Sequence, residues 1–170
     1  EWDRDGQYFH YLSKWMHALD QVARATGEAR YSAWACELAE TAHRAFAQGP
    51  GGRGGRAMAW KMSSYLSRPL VPSMGQHDPL DGYITCVQLG VTAAKFAPAA
   101  RTSLDAAAID FASMLEGRDL RTSDPLGLGG LMTDAYRVEQ LARQGASVFA
   151  RLLVALVAAT LGGLSHYASQ

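Results

Sequence analysis

The stretch Tyr8-Phe9-His10-Tyr11-Leu12-Ser13-Lys14-Trp15-Met16-His17-Ala18-Leu19 indicates the fold class, because its apolar residues recur at helical spacing. Two neighbouring apolar rows, each spaced three and four residues apart, extend beyond it: Phe9, Leu12, Met16, Leu19 and Ala23, and Tyr8, Tyr11, Trp15, Ala18 and Val22. Polar side chains occupy the remaining arc. The pattern predicts a first helix over about 7–26, with apolar residues on about half its circumference, ending at Gly27.

The same periodicity predicts five more helices, at about 30–47, 78–97, 103–116, 131–143 and from 146 to the end. Asp78-Pro79 begins the third helix as an N-cap followed by proline. Short connections join helices one and two, three and four, and five and six, whereas long loops separate these pairs. Because short links produce antiparallel pairs, we expect an all-α protein of three consecutive αα-hairpins. We expect no sheet beyond a short hairpin near 57–62, with 63–76 irregular.

Composition limits the function classes. The 170 residues suit a single domain, 1–170, and 48% of them are apolar, which excludes a disordered chain. Sixteen basic residues balance sixteen acidic ones, so the charge predicts neither a nucleic-acid partner nor an anionic membrane surface.

The apolar stretch 152–170 is diluted by glycine, serine and histidine, and we expect a helix buried by its neighbours or by a second subunit.

Cys36 and Cys86 are the only cysteines. They predict neither a disulfide framework nor a zinc site, and are typical of buried thiols in a reducing compartment, so we expect a cytoplasmic protein with no cofactor. The chain begins at Glu1 rather than Met, so we also expect it to be a piece of a longer protein.

The order of helices resembles the (α/α)6 toroid of the six-hairpin glycosidase-like superfamily. The resemblance rests on the stretch 8–19, on Ala25-Thr26-Gly27-Glu28, and on Tyr31, Trp34-Ala35 and Leu38-Ala39, which look like an inner and outer helix pair. It implies inner helices around a cavity, long loops at its rim, and carbohydrate chemistry. A full toroid has six hairpins and this sequence has three, which implies a larger protein, an additional half from a partner, or a homo-oligomer.

The densest cluster of chemical groups is Gln76-His77-Asp78-Pro79-Leu80-Asp81-Gly82. Asp78 and Asp81 share one face of a helix start, and His77 lies beside them. Capping and dipole neutralisation explain both acids as well as catalysis does. The positive helix end favours ionised carboxylates, which suits a nucleophile or base and opposes a general acid. Asp134, predicted in the first turn of the fifth helix, is the alternative acid.

Other candidates lie at the same predicted end of the hairpins. His10 opens the first helix together with Asp3 and Asp5, and His17 follows His10 by one heptad. Either histidine is a candidate for the site, and the alternative is that both simply face solvent. His43 lies on an outer helix and is predicted to be structural. The predicted substrate-binding side chains are aromatic or basic: Trp60, Lys61, Arg68, Tyr8 and Tyr83, with Trp2 in addition.

Three functions follow from these residues. The first is a glycoside hydrolase-like domain, whose two carboxyls come from Asp78 or Asp81 with Asp134 or Asp5. The second is a sugar epimerase or isomerase using His10 or His77 as base. The third is a non-catalytic helical scaffold. The hypothesis that unites the site places His77, Asp78, Asp81, His10 and Trp60 around one pocket.

Overall fold

The computed structural model describes residues 5–50, 56–71, 73, 75–144 and 148–169. The chain forms two compact units, Glu1–Glu116 and Gly117–Gln170. The first contains α1 (Phe9–Thr26), α2 (Ala29–Phe46), α3 (Asp78–Phe96) and α4 (Arg101–Ser113). The second contains α5 (Pro125–Arg143) and α6 (Val148–Tyr167). Helices pack as α1 with α2, α3 with α4 and α5 with α6, which confirms the all-α class and the three predicted hairpins.

The described part of the first unit contains more short strands than the sequence predicts. Strands β1 (Gly6–Tyr8), β4 (Lys61–Ser63) and β5 (Pro69–Val71) form an antiparallel sheet in the order β1-β4-β5. Strands β2 (Ala47–Pro50) and β3 (Arg56–Met58) form a separate antiparallel pair. The expectation of a single hairpin near 57–62 is therefore wrong, because three-residue strands are too short to show an alternating pattern.

The β1–β4 pairing positions the start of α1. Tyr8 lies opposite Lys61 in the register, so the chain enters α1 directly beside the loop that carries Trp60. Residue Trp60 is held by its backbone N–H, which lies 3.1 Å from the carbonyl oxygen of Val71. The sheet thereby brings residues about fifty positions apart to the same end of the first unit.

The core of the first unit lies between its two hairpins. Phe9 packs against Phe46 and Phe111, with ring centroids 5.6 and 5.4 Å away. Cys36 and Cys86 are free and buried, and burial raises the pKa of these thiols to about 11 and about 12.

Only one of the two apolar rows of α1 enters this core. Phe9, Met16 and Ala23 are buried, whereas Tyr11 and Trp15 of the second row are 55% and 65% exposed. The apolar half of this helix is therefore only partly buried. Helix α1 packs against α2 and α3, and in the described part of the chain these neighbours leave the second row open to solvent.

Helix α5 begins earlier than the predicted start at about 131. Asp124 caps it, since the Gly127 N–H donates to Asp124 Oδ2 at 2.6 Å, and Pro125 is the first helical residue. The glycines at 127, 129 and 130 obscured this start in the sequence, because they interrupt the apolar pattern. Asp134 therefore lies in the third turn of α5 rather than the first.

Helix α6 is only partly covered. Leu156 is fully buried, but Val154 and Leu161 are 70% and 59% exposed, so the described part of the chain leaves one face open and its cover by a second subunit stays a prediction. Among the described residues, Phe149–Tyr167 is the one helix long and apolar enough to cross a membrane, and its window is 28% buried. Core helices of water-soluble proteins meet the same criterion.

Candidate active site

Asp78 and Asp81 are both buried in the first turn of α3. The prediction that Asp78 caps this helix is wrong. His77 occupies the N-cap position without a side-chain cap, and Asp78 is already helical. Oδ2 of Asp78 is buried and makes no hydrogen bond. The carboxyl is therefore not explained by the local needs of the helix end.

Asp78 has an environment that disfavours its charge. Desolvation raises its pKa to about 7, the negative charge of Asp81 adds to the shift, and Lys14 opposes it. The helix dipole was expected to keep this group ionised, but loss of hydration outweighs it. Gly75 packs directly against the carboxyl, since a Cβ at position 75 would overlap Asp78 Oδ2.

Asp81, one turn further, has the opposite surroundings. Ser13 of α1 donates to its Oδ2, and the Lys14 ammonium lies 3.4 Å from the same oxygen. Thr85 donates to Oδ1 at 3.4 Å. Two hydroxyl donors and a cation suit a carboxylate rather than a carboxylic acid. The two acids of one helical turn are thus held in contrasting electrostatic environments.

His10 lies near Asp81, and an aromatic group adjoins His10. His10 is half-buried, and desolvation lowers its pKa, while the charge of Asp81 acts in the opposite direction. Its ring lies 5.5 Å from that of Tyr8, and Tyr8 lies 5.5 Å from Trp60 in an edge contact. The structure therefore brings His10, Asp81, Tyr8 and Trp60 to one end of the first unit.

The other predicted substrate-binding residues have different surroundings. Lys61 is buried, with Nζ 5.3 Å from the centroid of Tyr8, so its cation packs on that ring rather than facing solvent. Arg68 is exposed at the turn before β5. Tyr83 is half-buried, and burial raises its pKa. His77 is half-buried at the start of α3.

Two further groups of predicted residues do not join the cluster. Asp5 is exposed, and Trp2 and Asp3 lie outside the described residues. Asp134 belongs to the second unit, where it forms a buried ion pair with Arg137 at 3.3 Å. The prediction that Asp134 lies in the first turn of its helix is wrong, because α5 begins at Pro125 and Asp134 falls in the third turn. His43 has the predicted structural position, contacting Asp110 of α4 at 2.8 Å.

A second polar layer, which was not predicted from the sequence, lies between α1 and α3. The Gln88 amide nitrogen lies 3.0 Å from His17 Nδ1 and 3.0 Å from Asp20 Oδ2. Asp20 is fully buried, and its Oδ1 makes no hydrogen bond. We call the polar residues along this interface the polar seam: Ser13, Lys14, His17 and Asp20 of α1, and Asp81, Thr85 and Gln88 of α3.

The polar seam repeats after seven residues on each helix. Asp20 follows Ser13 by seven, and Gln88 follows Asp81 by seven, so the contacts Ser13–Asp81 and Asp20–Gln88 form equivalent layers about 10 Å apart. The seven-residue spacing of polar residues on both helices is a signal in the sequence by which this seam could have been found.

A separate cavity of about 400 Å³ lies in the second unit, beside Gly162, Gly163 and His166. Its arginine, Arg121, is bound by Asp119, with Nη2 and Oδ2 2.7 Å apart. This pairing neutralises the cation, and the cavity lacks the contrasting acids of the first unit.

Within the described ranges, no cluster of three or more histidine, cysteine or acidic side chains is arranged to hold a metal ion. No protein-family model, curated protein or solved structure matches this chain.

Proposed function

We propose that this chain is a carbohydrate-active enzyme domain of the toroid type, glycoside hydrolase-like, in which Asp78 is the general acid. The observation that carries the proposal is the pair of buried acids on one turn of α3. Asp78 has a buried oxygen with no hydrogen bond and a pKa raised to about 7, whereas Asp81 accepts bonds from Ser13 and Thr85. When one site holds two carboxyls in contrasting environments, one of them can act as an acid and the other as a base.

Each acid has a defined role in this proposal. Asp78 keeps its proton near neutral pH and donates it to the leaving oxygen of the scissile glycosidic bond. Asp81 stays ionised beside Lys14 and serves as the nucleophile, or as the base that activates water. Tyr8 and Trp60 supply aromatic surface against which a sugar ring packs. Asp134 is left out of this mechanism, since Arg137 neutralises it.

The fold supports the same proposal. The acids lie on α3 and the histidine on α1, which are the inner helices of their hairpins in a toroid arrangement. The polar seam joins these two helices. A complete ring would include three further hairpins, from the same polypeptide, another protein or a second copy of this chain. The location that we propose is the cytoplasm, on the basis of two free buried thiols.

A sugar isomerase or epimerase is the second candidate. It is favoured by His10, because desolvation lowers the pKa of this ring and leaves more of it neutral and able to accept a proton near pH 7. In that reaction His10 removes a proton beside the sugar carbonyl. A non-catalytic scaffold remains the alternative in which these groups only stabilise the fold.

One set of assays separates the three. The purified chain is incubated with nitrophenyl glycosides and polysaccharides to detect hydrolysis, and with aldoses and ketoses in D2O to detect exchange at C2. Asp78→Asn and Asp81→Asn should reduce hydrolysis about 10²–10⁴-fold, whereas the matched surface variant Asp105→Asn retains it. Loss of exchange in His10→Gln, with both Asp variants active, would favour the isomerase. Absence of turnover and binding in all assays would support the scaffold.

A further inference from the structure

We propose that His17 is an additional sugar-binding residue, and that Gln88 and Asp20 are positioning residues that fix its tautomer. In this proposal His17 donates a hydrogen bond from Nε2 to a hydroxyl of the sugar. The inference rests on the proposed function, since it extends that site along the polar seam by one heptad. Its physical basis is the row of contacts Asp20–Gln88–His17.

The direction of the hydrogen bonds in this row follows from Asp20. A carboxylate only accepts, so the Gln88 atom 3.0 Å from Asp20 Oδ2 is the amide nitrogen. Nη1 of Arg24 lies 3.9 Å from the same oxygen. The second hydrogen of that amide nitrogen is donated to His17 Nδ1 at 3.0 Å. An Nδ1 that accepts carries no proton, so the neutral ring of His17 holds its proton on Nε2.

This arrangement distinguishes the two histidines of α1. With its proton on Nε2, His17 is a donor at that atom and cannot act there as a base. His10, one heptad earlier, has a pKa lowered by burial and lies beside Asp81. His17 is half-buried in the first unit. The polar seam thereby offers proton-transfer groups in one layer and a fixed hydrogen-bond donor in the next.

A packing role alone does not account for Asp20. Its side chain is fully buried, and Oδ1 is left without a hydrogen bond, which is unfavourable for folding. An apolar residue of similar size would fill the same space without that penalty. The carboxylate does set the orientation of Gln88, and through it the proton position on His17, which is the property that a binding site requires.

The test uses isosteric substitutions to reverse the direction of the hydrogen bonds in the row Asp20–Gln88–His17. In the double variant Asp20→Asn with Gln88→Glu, the new amide donates to the new carboxylate, which then accepts from His17 Nδ1–H. Long-range ¹H–¹⁵N NMR at a pH where the ring is neutral reports which nitrogen carries the proton. Circular dichroism checks that the variant folds, and Gln144→Glu, at an exposed position, is the matched control. We expect the Nε2–H tautomer in the wild type and control, and the Nδ1–H tautomer in the double variant.

Binding is measured on the same samples with methyl gluco-, galacto- and mannopyranosides as probes. We expect a probe to shift the ring signals of both His10 and His17, with affinity at least about tenfold lower in the double variant, equivalent to about 1.4 kcal/mol. A probe that shifts His10 but not His17 would overturn this inference and leave the proposed function standing. Shifts at neither ring with every probe would overturn both. An Nδ1–H tautomer in the wild type would overturn this inference before any probe is added. If the double variant does not fold, the tautomer of His17 is measured in Asp20→Asn alone, which keeps an acceptor oxygen at position 20.

Discussion

Ser13 of α1 donates its hydroxyl hydrogen to Oδ2 of Asp81 on α3, although the two residues are 68 positions apart in the chain. Both side chains are buried. The bond therefore ties the first helix of one hairpin to the first helix of the next, and it does so at the candidate active site. Stability of the first unit and the charge of Asp81 depend on the same contact.

Ser13→Ala should destabilise the protein by about 1–3 kcal/mol, because a buried carboxylate loses a hydroxyl donor. Lys14 and Thr85 still contact Asp81, so the fold persists. Urea denaturation followed by circular dichroism measures the change. Ser169→Ala, at an exposed residue, is the control and should change stability by less than about 0.5 kcal/mol. Equal effects of the two variants would show that the Ser13 bond adds nothing.

The pKa of Asp78 makes stability depend on pH in a defined direction. Its value is about 7 in the folded protein and 3.8 as the reference, so the folded state binds this proton more tightly. The contribution to stability therefore falls as pH rises from about 4 to about 7, by about 4 kcal/mol at most. Asp78→Asn removes this dependence, and should be more stable than the wild type at pH 8 but not at pH 4. Denaturation curves at both pH values check this, and a parallel pH dependence in the two proteins would contradict it.

Helical spacing in the sequence was sufficient to predict the six helices and their pairing, because apolar periodicity and short links are local properties. That Asp78, Asp81, His10 and Trp60 share one pocket stays a prediction. The start of α5 was missed, since Asp124-Pro125 is followed by glycines that interrupt the apolar row. The same Asp-Pro pattern predicted that Asp78 caps α3, and this was wrong because Asp78 is buried in the first turn of that helix.

Long-range contacts account for what the sequence did not predict. The pairing of β1 with β4 joins residues 6–8 to 61–63, and nothing in either segment specifies the other. The raised pKa of Asp78 depends on burial by Gly75 and its surroundings, whereas a helix start viewed alone predicts the opposite shift. The Asp20–Gln88 contact likewise needs the packing of α1 on α3, which the polar arc of α1 does not specify.

Asp110 links three elements of the first unit and should stabilise it above about pH 4. Arg56 of β3 donates from Nε to Oδ1 at 2.7 Å, and His43 of α2 contacts Oδ2 at 2.8 Å. The Arg56 hydrogen bonds are the largest cause that lowers the pKa of Asp110, so the contribution is present above the reference value of 3.8 and lost as pH falls below it. Asp110→Asn should cost about 1–2 kcal/mol at pH 7 and much less at pH 3. Urea denaturation at both pH values is the measurement, and an equal loss at both would contradict the prediction.

The buried pair Asp134–Arg137 in the second unit should show strong coupling. Asp134→Leu alone leaves the Arg137 guanidinium buried without this carboxylate, and should destabilise the chain by about 3–5 kcal/mol. The double variant Asp134→Leu with Arg137→Met replaces the pair by apolar side chains, and should be more stable than that single variant. Thermal unfolding of the full chain compares them. Additive effects of the two substitutions would show that the ion pair is not coupled.

Substitutions on α6 should separate its buried and exposed faces. Leu156 is fully buried, so Leu156→Ala should cost about 2–5 kcal/mol through lost apolar contacts and the remaining cavity. Val154 is 70% exposed, so Val154→Lys should change stability by no more than about 0.5 kcal/mol. The added charge breaks the apolar face of Val154, Val157 and Leu161, and should also lower any concentration-dependent association. Urea denaturation gives the stabilities, and light scattering over a concentration series gives the association. A loss of several kcal/mol in Val154→Lys would show that this face is covered in solution, by a second subunit or by another part of the chain.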